Sequence, residues 1–357
     1  MSLYVDIKKK FKDFSLEVSF SNDNGTLGIL GASGSGKSMT LKCIAGLTSP
    51  DEGIIRLGDR VLFDSAAKID LKPQQRNVGY LFQSYALFPN MTVRKNIEIA
   101  YGGPKENIDK AVDELLQRYE LTDLADRYPV QISGGQQQRT ALARIFAYEP
   151  ELILLDEPFS ALDTYLRENM QAELKRIIKS YNGDVVMVTH SRDEAYKICD
   201  NLVILEDGQP VTKGKTQDIF TNPRNVASAR ITGCKNISEI IKTGETTFIA
   251  KDWGIELDAE TTILDNHTHI GIRAHDFFSV DETNEEKKSI NVFDIRVDHE
   301  IVGMFEKNVI FCAKNPVEYS GEKIKIGPIW WITDTGADVE NIAFLSVEPN
   351  KILLLEE

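Results

Sequence analysis

"LGILGASGSGKSMTLKCIAG", residues 27–46, sets four glycines ahead of Lys37 and returns to apolar residues behind it. The spacing fits G-x-x-x-x-G-K-S, with Gly31, Gly36, Lys37 and Ser38 at the fixed positions of a phosphate-binding P-loop. Gly31, Gly34 and Gly36 let the backbone curl until several N–H groups converge on phosphate oxygens. Ser33 and Ser35 complete the loop's candidate nucleotide contacts. A helix from about Lys37 adds its positive dipole end. Lys37 can reach the β- and γ-phosphates, and the Ser38 hydroxyl can ligate Mg²⁺. The context fits, because Thr26–Leu30 reads as a short buried strand and Met39–Ala45 as a helix. This is a nucleotide site, but the loop alone does not say for what work.

The chain around it has 357 residues, enough for two domains that each bury a sizeable core. Its 42% hydrophobic and 27% charged residues are those of a globular protein. A net charge of −14 argues against a non-specific nucleic-acid binder, since phosphate backbones call for a basic face. No apolar run is long enough to span a bilayer, and Met1–Phe14 is too basic and interrupted for a signal peptide. Cys43, Cys199, Cys234 and Cys312 have no metal-like spacing and read as small core residues of a reducing compartment.

Up to about residue 222, strand-like and helix-like segments alternate. The expected strands are Thr26–Leu30, Val78–Phe82, Leu152–Asp156, Val185–Thr189 and Leu202–Leu205, apolar runs suited to a mainly parallel sheet under helices. Between Phe88 and Pro150 the pattern is almost wholly helical. In "NIDKAVDELLQRY", Ile108, Ala111, Val112, Leu115, Leu116 and Tyr119 share one helical stripe. "TNPRN" around Pro223 breaks the pattern, and from about Ile240 short strands alternate with turn signals, as in a small barrel or sandwich. The expected domains are 1–235 and 236–357.

"ELILLDEPFSALD", residues 151–163, ends an apolar strand in two acids. Asp156 is placed to hold Mg²⁺ through its water shell. Glu157 is suited to orient and deprotonate a water attacking the γ-phosphate. In "ISGGQQQRTALAR", residues 132–144, Ser133 can cap a helix whose first residues, Gly134 and Gly135, expose backbone N–H groups. That is a second phosphate-binding end within one chain.

These motifs together resemble the ATP-binding subunits of ABC transporters: "GASGSGKS" as Walker A, "LILLDE" as Walker B and "ISGGQ", with Gln136, as the signature. The resemblance implies a Q-loop role for Gln83, sensing Mg²⁺ and the attacking water. It implies a D-loop role for Asp163 and a switch role for His190, contacting the γ-phosphate. Phe11 matches the aromatic that stacks on adenine, with Phe14 as its rival. Met39 departs from the family's usual threonine, so α-phosphate contact falls to backbone N–H groups or Thr40. Ile132 replaces the usual leucine at nearly the same volume. The implied fold is α/β: a P-loop ABC ATPase domain, mainly parallel sheet plus helical subdomain, then a small β-rich OB/TOBE-like barrel.

The resemblance also implies ATP and Mg²⁺, and a homodimer packed head to tail with each nucleotide between one Walker A and the partner's signature. It implies two transmembrane permease subunits, an extracytoplasmic binding protein acting indirectly, and a place on the cytoplasmic membrane face. "SYALFPNMTV", residues 84–93, matches the surface that meets permease coupling helices. Residues 61–93 look most like molybdate importer ATPases, with sulfate, ferric-iron and polyamine importers as alternatives. The tail could sense an oxyanion with help from a cation such as Arg273. A soluble ABC ATPase of DNA repair or translation would carry coiled-coil insertions or two ATPase halves. A GTPase switch would carry Asn-Lys-x-Asp. None of these features is present.

Overall fold

In the first two strands every second side chain faces a core: Leu3, Val5 and Ile7 in β1 (Leu3–Lys10), Leu16, Val18 and Phe20 in β2 (Ser15–Asn22). The computed structural model describes residues 2–23, 25–160, 162–280, 291–317, 326–339 and 342–357. Ala161 of the "SALD" stretch lies outside the described residues, as do parts of the β-rich tail. The chain divides into two units, Met1–Gln217 and Asp218–Glu357.

In the first unit, β3 (Thr26–Leu30) is buried along its whole length and leads through the glycine loop into α1 (Lys37–Ala45). Next come β4 (Glu52–Leu57), β5 (Arg60–Asp64) and β6 (Ile69–Asp70). With β1 and β2 they form an antiparallel sheet, ordered β2-β1-β4-β5-β6. This sheet is an addition to the mainly parallel layer expected from sequence. The chain continues through α2 (Pro73–Arg76), β7 (Val78–Leu81), α3 (Val93–Glu98), α4 (Ile108–Arg118) and α5 (Gly134–Ala147). It then alternates β8 (Leu152–Asp156), α6 (Thr164–Lys179), β9 (Asp184–Thr189), α7 (Arg192–Ile198), β10 (Asn201–Glu206) and β11 (Gln209–Lys215).

The second sheet runs β11-β10-β3-β9-β8-β7, with every pairing parallel except β10 with β11. Its central strands are covered on both faces, so adjacent residues serve different cores. Leu154 packs with Leu41 and Ile44 of α1 and with the antiparallel sheet. Leu155, one residue on, packs with Val112, Leu116, Tyr119 and Leu142 of the helical layer. The apolar stripe of α4 is thereby accounted for. Each such fully buried side chain contributes about 1.5–3 kcal/mol.

The division falls within α8 (Thr216–Thr221), and in the second unit α9 (Val226–Ile231) precedes strands β12 (Asn236–Lys242), β13 (Thr247–Ala250), β14 (Ile255–Asp258), β15 (His269–Ile272) and β16 (Phe277–Ser279). β17 (Val292–Val302), β18 (Glu306–Ala313), β19 (Ile329–Asp334), β20 (Phe344–Val347) and β21 (Leu353–Leu355) follow. They make two antiparallel sheets, β14-β13-β12-β15-β21 and β16-β20-β17-β18-β19, around one core rich in Phe248, Trp253, Phe311 and Trp331. Buried Asn236 ties the sheets, donating to Ile272 O and Trp330 O and accepting from Trp330 N at 2.7 Å. The arrangement agrees with the expected OB/TOBE-like barrel. Residues 218–235 pack here as well: Val226, Ala229 and Cys234 close over Leu355, ahead of the expected division at 235/236.

All four cysteines are buried and none is in a disulfide. Burial pushes the Cys43, Cys234 and Cys312 thiols up to about 11, as befits packing residues. Among the described residues no helix is long and apolar enough to cross a membrane.

Candidate active site

The sheet order brings the motifs together. β3, β9, β8 and β7 are neighbours, and their carboxyl ends lead respectively into the glycine loop, His190, Asp156–Glu157 and Gln83. Ligands of open α/β sheets bind at that edge. Gly34 and Gly36 have φ of 86° and 99°, values that favour glycine. Gly31 is required by close approach, because a Cβ there would lie 2.2 Å from Leu205 O. A Cβ at Gly34 would meet nothing within 4 Å, so the loop's mouth opens outward. Buried Ser35 Oγ has no hydrogen-bond partner, an orphaned group of the kind a loop built round an anion leaves.

Phe11, Phe14, Ser33, Gly34, Gly36, Lys37, Ser38, Met39 and Glu157 line a cleft of about 420 Å³. A larger cleft beside Tyr119, Phe146 and Tyr181 holds none of the motif residues. Phe11 is exposed at the rim, whereas Phe14 lies against Gly36 and Gly208 and packs into the core. Phe11 therefore offers the free ring face. Lys37 is 5% exposed and donates to Gly31 O at 3.0 Å and Ala32 O at 2.8 Å. Burial lowers its pKa, opposed by Glu157 and Asp156. Thr40 stands apart: it is fully buried and its hydroxyl donates to Gly36 O at 3.1 Å. Of the two expected sources of α-phosphate contact, Thr40 thus spends its proton on the loop's own carbonyl, as Lys37 does.

Asp156 has both oxygens engaged. Ser38 Oγ donates to Oδ1 at 2.7 Å, and Tyr80 Oη donates to Oδ2 at 2.7 Å. Burial, followed by the Asp156 carboxylate, pushes the Tyr80 phenol far up, so it keeps its proton. Sequence reasoning missed Tyr80, because an aromatic in "VGYL" reads as core. Its one signal is its place three residues before Gln83. Glu157 follows with φ of 45°, a sparsely populated conformation for a side-chain-bearing residue. Gln83 Nε2 donates to Glu157 Oε2 at 3.4 Å, and His190 Nδ1 lies 3.3 Å from Glu157 Oε1. Three separate strands thus converge on one carboxylate.

A small bonded turn holds His190. Thr189 Oγ1 donates to buried Glu194 at 2.5 Å and accepts from Ser191 N at 3.0 Å. Burial raises the Glu194 pKa, against the opposing bond from Thr189. The fold therefore holds this proton more tightly than the unfolded chain. Glu194 favours folding below the ordinary glutamate range and costs stability as pH rises through its raised folded value. Glu194→Gln keeps an acceptor for Thr189, and is expected to raise the melting temperature more at about pH 8 than at about pH 4. Thermal unfolding followed by circular dichroism at both pH values checks this. A larger gain in acid would contradict it.

The signature residues lie outside the loop's cleft. Ser133 Oγ accepts from Gln136 N at 3.3 Å, and Gln136 Oε1 accepts from Ser133 N at 2.9 Å, a capping box at the start of α5. Gly134 is only half-buried, and a Cβ on Gly135 would press on Leu166. Asp163 caps α6 by accepting from Leu166 N at 2.9 Å. In "SYALFPNMTV", Tyr85 and Ala86 have φ of 60° and 45°. Arg144 holds both, donating to their carbonyls at 3.0 and 2.8 Å, and lies over the exposed Phe88 ring.

Residues 12–160 match the ABC transporter family model. A sulfate/thiosulfate import ATP-binding protein of Mesostigma viride is 36% identical, covering 82% of this chain and 83% of that protein. A spermidine/putrescine import ATP-binding protein of Clostridioides difficile is 34% identical, covering 99% of this chain and 96% of that one. The chain belongs to the ABC transporter ATP-binding subunits. Molybdenum and iron import members of this ABC family match as well. Among solved structures, a dimeric ATP-binding cassette in a post-hydrolysis state with ADP and Pi is similar at TM-score 0.51 and 31% identity, covering 60% of this chain and 99% of that one.

Proposed function

We propose that the protein is the ATP-hydrolysing subunit of an ABC importer, with residues 1–235 as its ATPase part and 236–357 as an accessory part. One observation carries the catalytic reading: Gln83 and His190 both meet Glu157, beside the loop that holds Lys37 and Ser38. In this reading Lys37 leaves the loop carbonyls for the β- and γ-phosphates, and the N–H groups between Gly31 and Ser38 bind the remaining oxygens. Phe11 stacks on adenine. Glu157 takes the proton of the attacking water, Gln83 helps orient that water, and His190 contacts the γ-phosphate. The oxygen donors of Ser38, Asp156 and Gln83 suit Mg²⁺, which neutralises phosphate charge when it is bound with ATP. Ser133, Gly134, Gly135, Gln136 and Asp163 serve the nucleotide of a second copy, because the signature turn lies outside the loop's own cleft.

The subunit then acts as a homodimer on the cytoplasmic face of the membrane. It pairs with two permease subunits through residues 84–93 and is served indirectly by an extracytoplasmic binding protein. The cargo we propose is a tetrahedral oxyanion, with molybdate or tungstate first on the resemblance of residues 61–93. The sulfate relative supports the same oxyanion class. Arg273, the cation named for the tail's anion contact, donates to Thr232 O at 3.0 Å and to Phe220 O, with further N–H groups left on its guanidinium. A polyamine is the second reading, favoured by a relative that covers 99% of this chain.

Reconstituted with its permease and binding protein, the protein is expected to drive uptake of molybdate or tungstate ahead of sulfate and spermidine. Preference for spermidine in that assay would reject the oxyanion class. Preference for sulfate would keep the class and reject molybdate.

A further inference from the structure

Asp156 ends β8 with two hydroxyl groups on one carboxylate, and only one of them belongs to a recognised motif. Ser38 holds Oδ1 and Tyr80 holds Oδ2, each at 2.7 Å. We propose that Tyr80 is a positioning residue for the metal of the nucleotide site, locking the Asp156 carboxylate so that its other oxygen stays turned toward Ser38. The proposal rests on the reading of Ser38 and Asp156 as metal-holding groups, and adds a residue to it.

The geometry makes Tyr80 suited to that work and to little else in the site. It stands on β7, beside β8, in register with Leu154, so its side chain reaches forward by two residues to Asp156. Its ring packs against Phe82 at 4.4 Å and against the core beneath the loop, which leaves the phenol little freedom. The phenol donates to Oδ2 independently of the Ser38 bond to Oδ1. Ser38 keeps two lone pairs while it donates, so it can ligate a cation and still hold Oδ1. Tyr80 holds the opposite oxygen, and the two contacts together fix the carboxylate's rotation. Carboxylate ligands are commonly held by such outer partners, and losing one costs about 10–100-fold in metal affinity. Tyr80 does not line the loop's cleft, so it makes no direct contact with a nucleotide there.

The test uses the full chain with ADP and Mn²⁺ as the metal probe, read by electron paramagnetic resonance. Tyr80→Phe keeps the ring and removes the donor. It is expected to weaken Mn²⁺ binding about tenfold while leaving fluorescent-ADP affinity in EDTA unchanged. In steady-state hydrolysis, the Mg²⁺ concentration for half-maximal rate should rise by a similar factor, with kcat at saturating metal nearly restored. With Asp156→Asn as background, Tyr80→Phe should cause no further loss of Mn²⁺ affinity. Unchanged Mn²⁺ affinity in the single variant would overturn the proposal. So would an equal loss of ADP affinity in EDTA, which would make Tyr80 a support for the loop's shape. If the unaltered protein with ADP takes up no Mn²⁺, the metal site fails first and the role of Tyr80 with it.

Discussion

Glu157→Gln is expected to lower ATP turnover by about 10²–10⁴-fold while leaving ATP binding intact. The amide has nearly the carboxylate's shape, so Gln83 and His190 keep a neighbour at 3.4 and 3.3 Å. It cannot accept the water's proton, which is the only function removed. The backbone should tolerate the change, since φ of 45° at residue 157 is set by the chain turning after β8, and glutamine meets that conformation as glutamate does. ATP should hold the variant in a long-lived dimer, visible by size-exclusion chromatography, because the step that separates the copies is blocked. Hydrolysis at the unaltered rate would show that Glu157 is not the base. Lost ATP binding, with an unchanged melting temperature, would mean that the carboxylate serves the ground state.

The motif residues were legible because their chemistry fixes their identity. A loop that needs φ of 86° and 99° at Gly34 and Gly36 and tolerates no Cβ at Gly31 leaves little choice of residue. The largely apolar, fully buried β3, β8 and β9 were equally plain. The antiparallel sheet was not. β1 and β2 do alternate, but β6 has two residues and β4 and β5 shift register where they pair, so the period is too short to stand out.

Thr40, Tyr80 and Arg273 share a feature that the sequence did not disclose. Each spends its polar group on a partner that sequence does not name: a carbonyl one turn back for Thr40, a carboxylate across a strand for Tyr80, and for Arg273 a carbonyl of α8 and another at the end of α9. Residue type announces that a donor exists. Only the fold says where it points.

The same distinction governs the signature. In a single copy, Ser133 and Gln136 complete one another in a capping box, and the local need for a helix cap would explain them both. What the cap does not explain is a pair of glycines directly behind it, with Gly134 left half-buried at a helix start. A shared site explains the pair, and it makes a prediction that a helix cap does not. Lys37→Ala removes the phosphate clamp, and Ser133→Arg obstructs the signature turn and removes its cap. Each chain is expected to be inactive alone, with hydrolysis at least about 100-fold down. Mixed in equal amounts, they should recover about one quarter of the unaltered rate, if copies pair at random and sites act independently. Half the dimers would then be mixed, and each would join one intact Lys37 to one intact Ser133. Recovery should rise and fall with the mixing ratio, peaking at equal amounts. Loss of the Ser133 cap costs only about 1 kcal/mol, so both chains should still fold, and circular dichroism checks that they do. If mixed dimers form, as shown by differently tagged copies, and no activity returns at any ratio, then the nucleotide is not shared and the signature serves its own subunit.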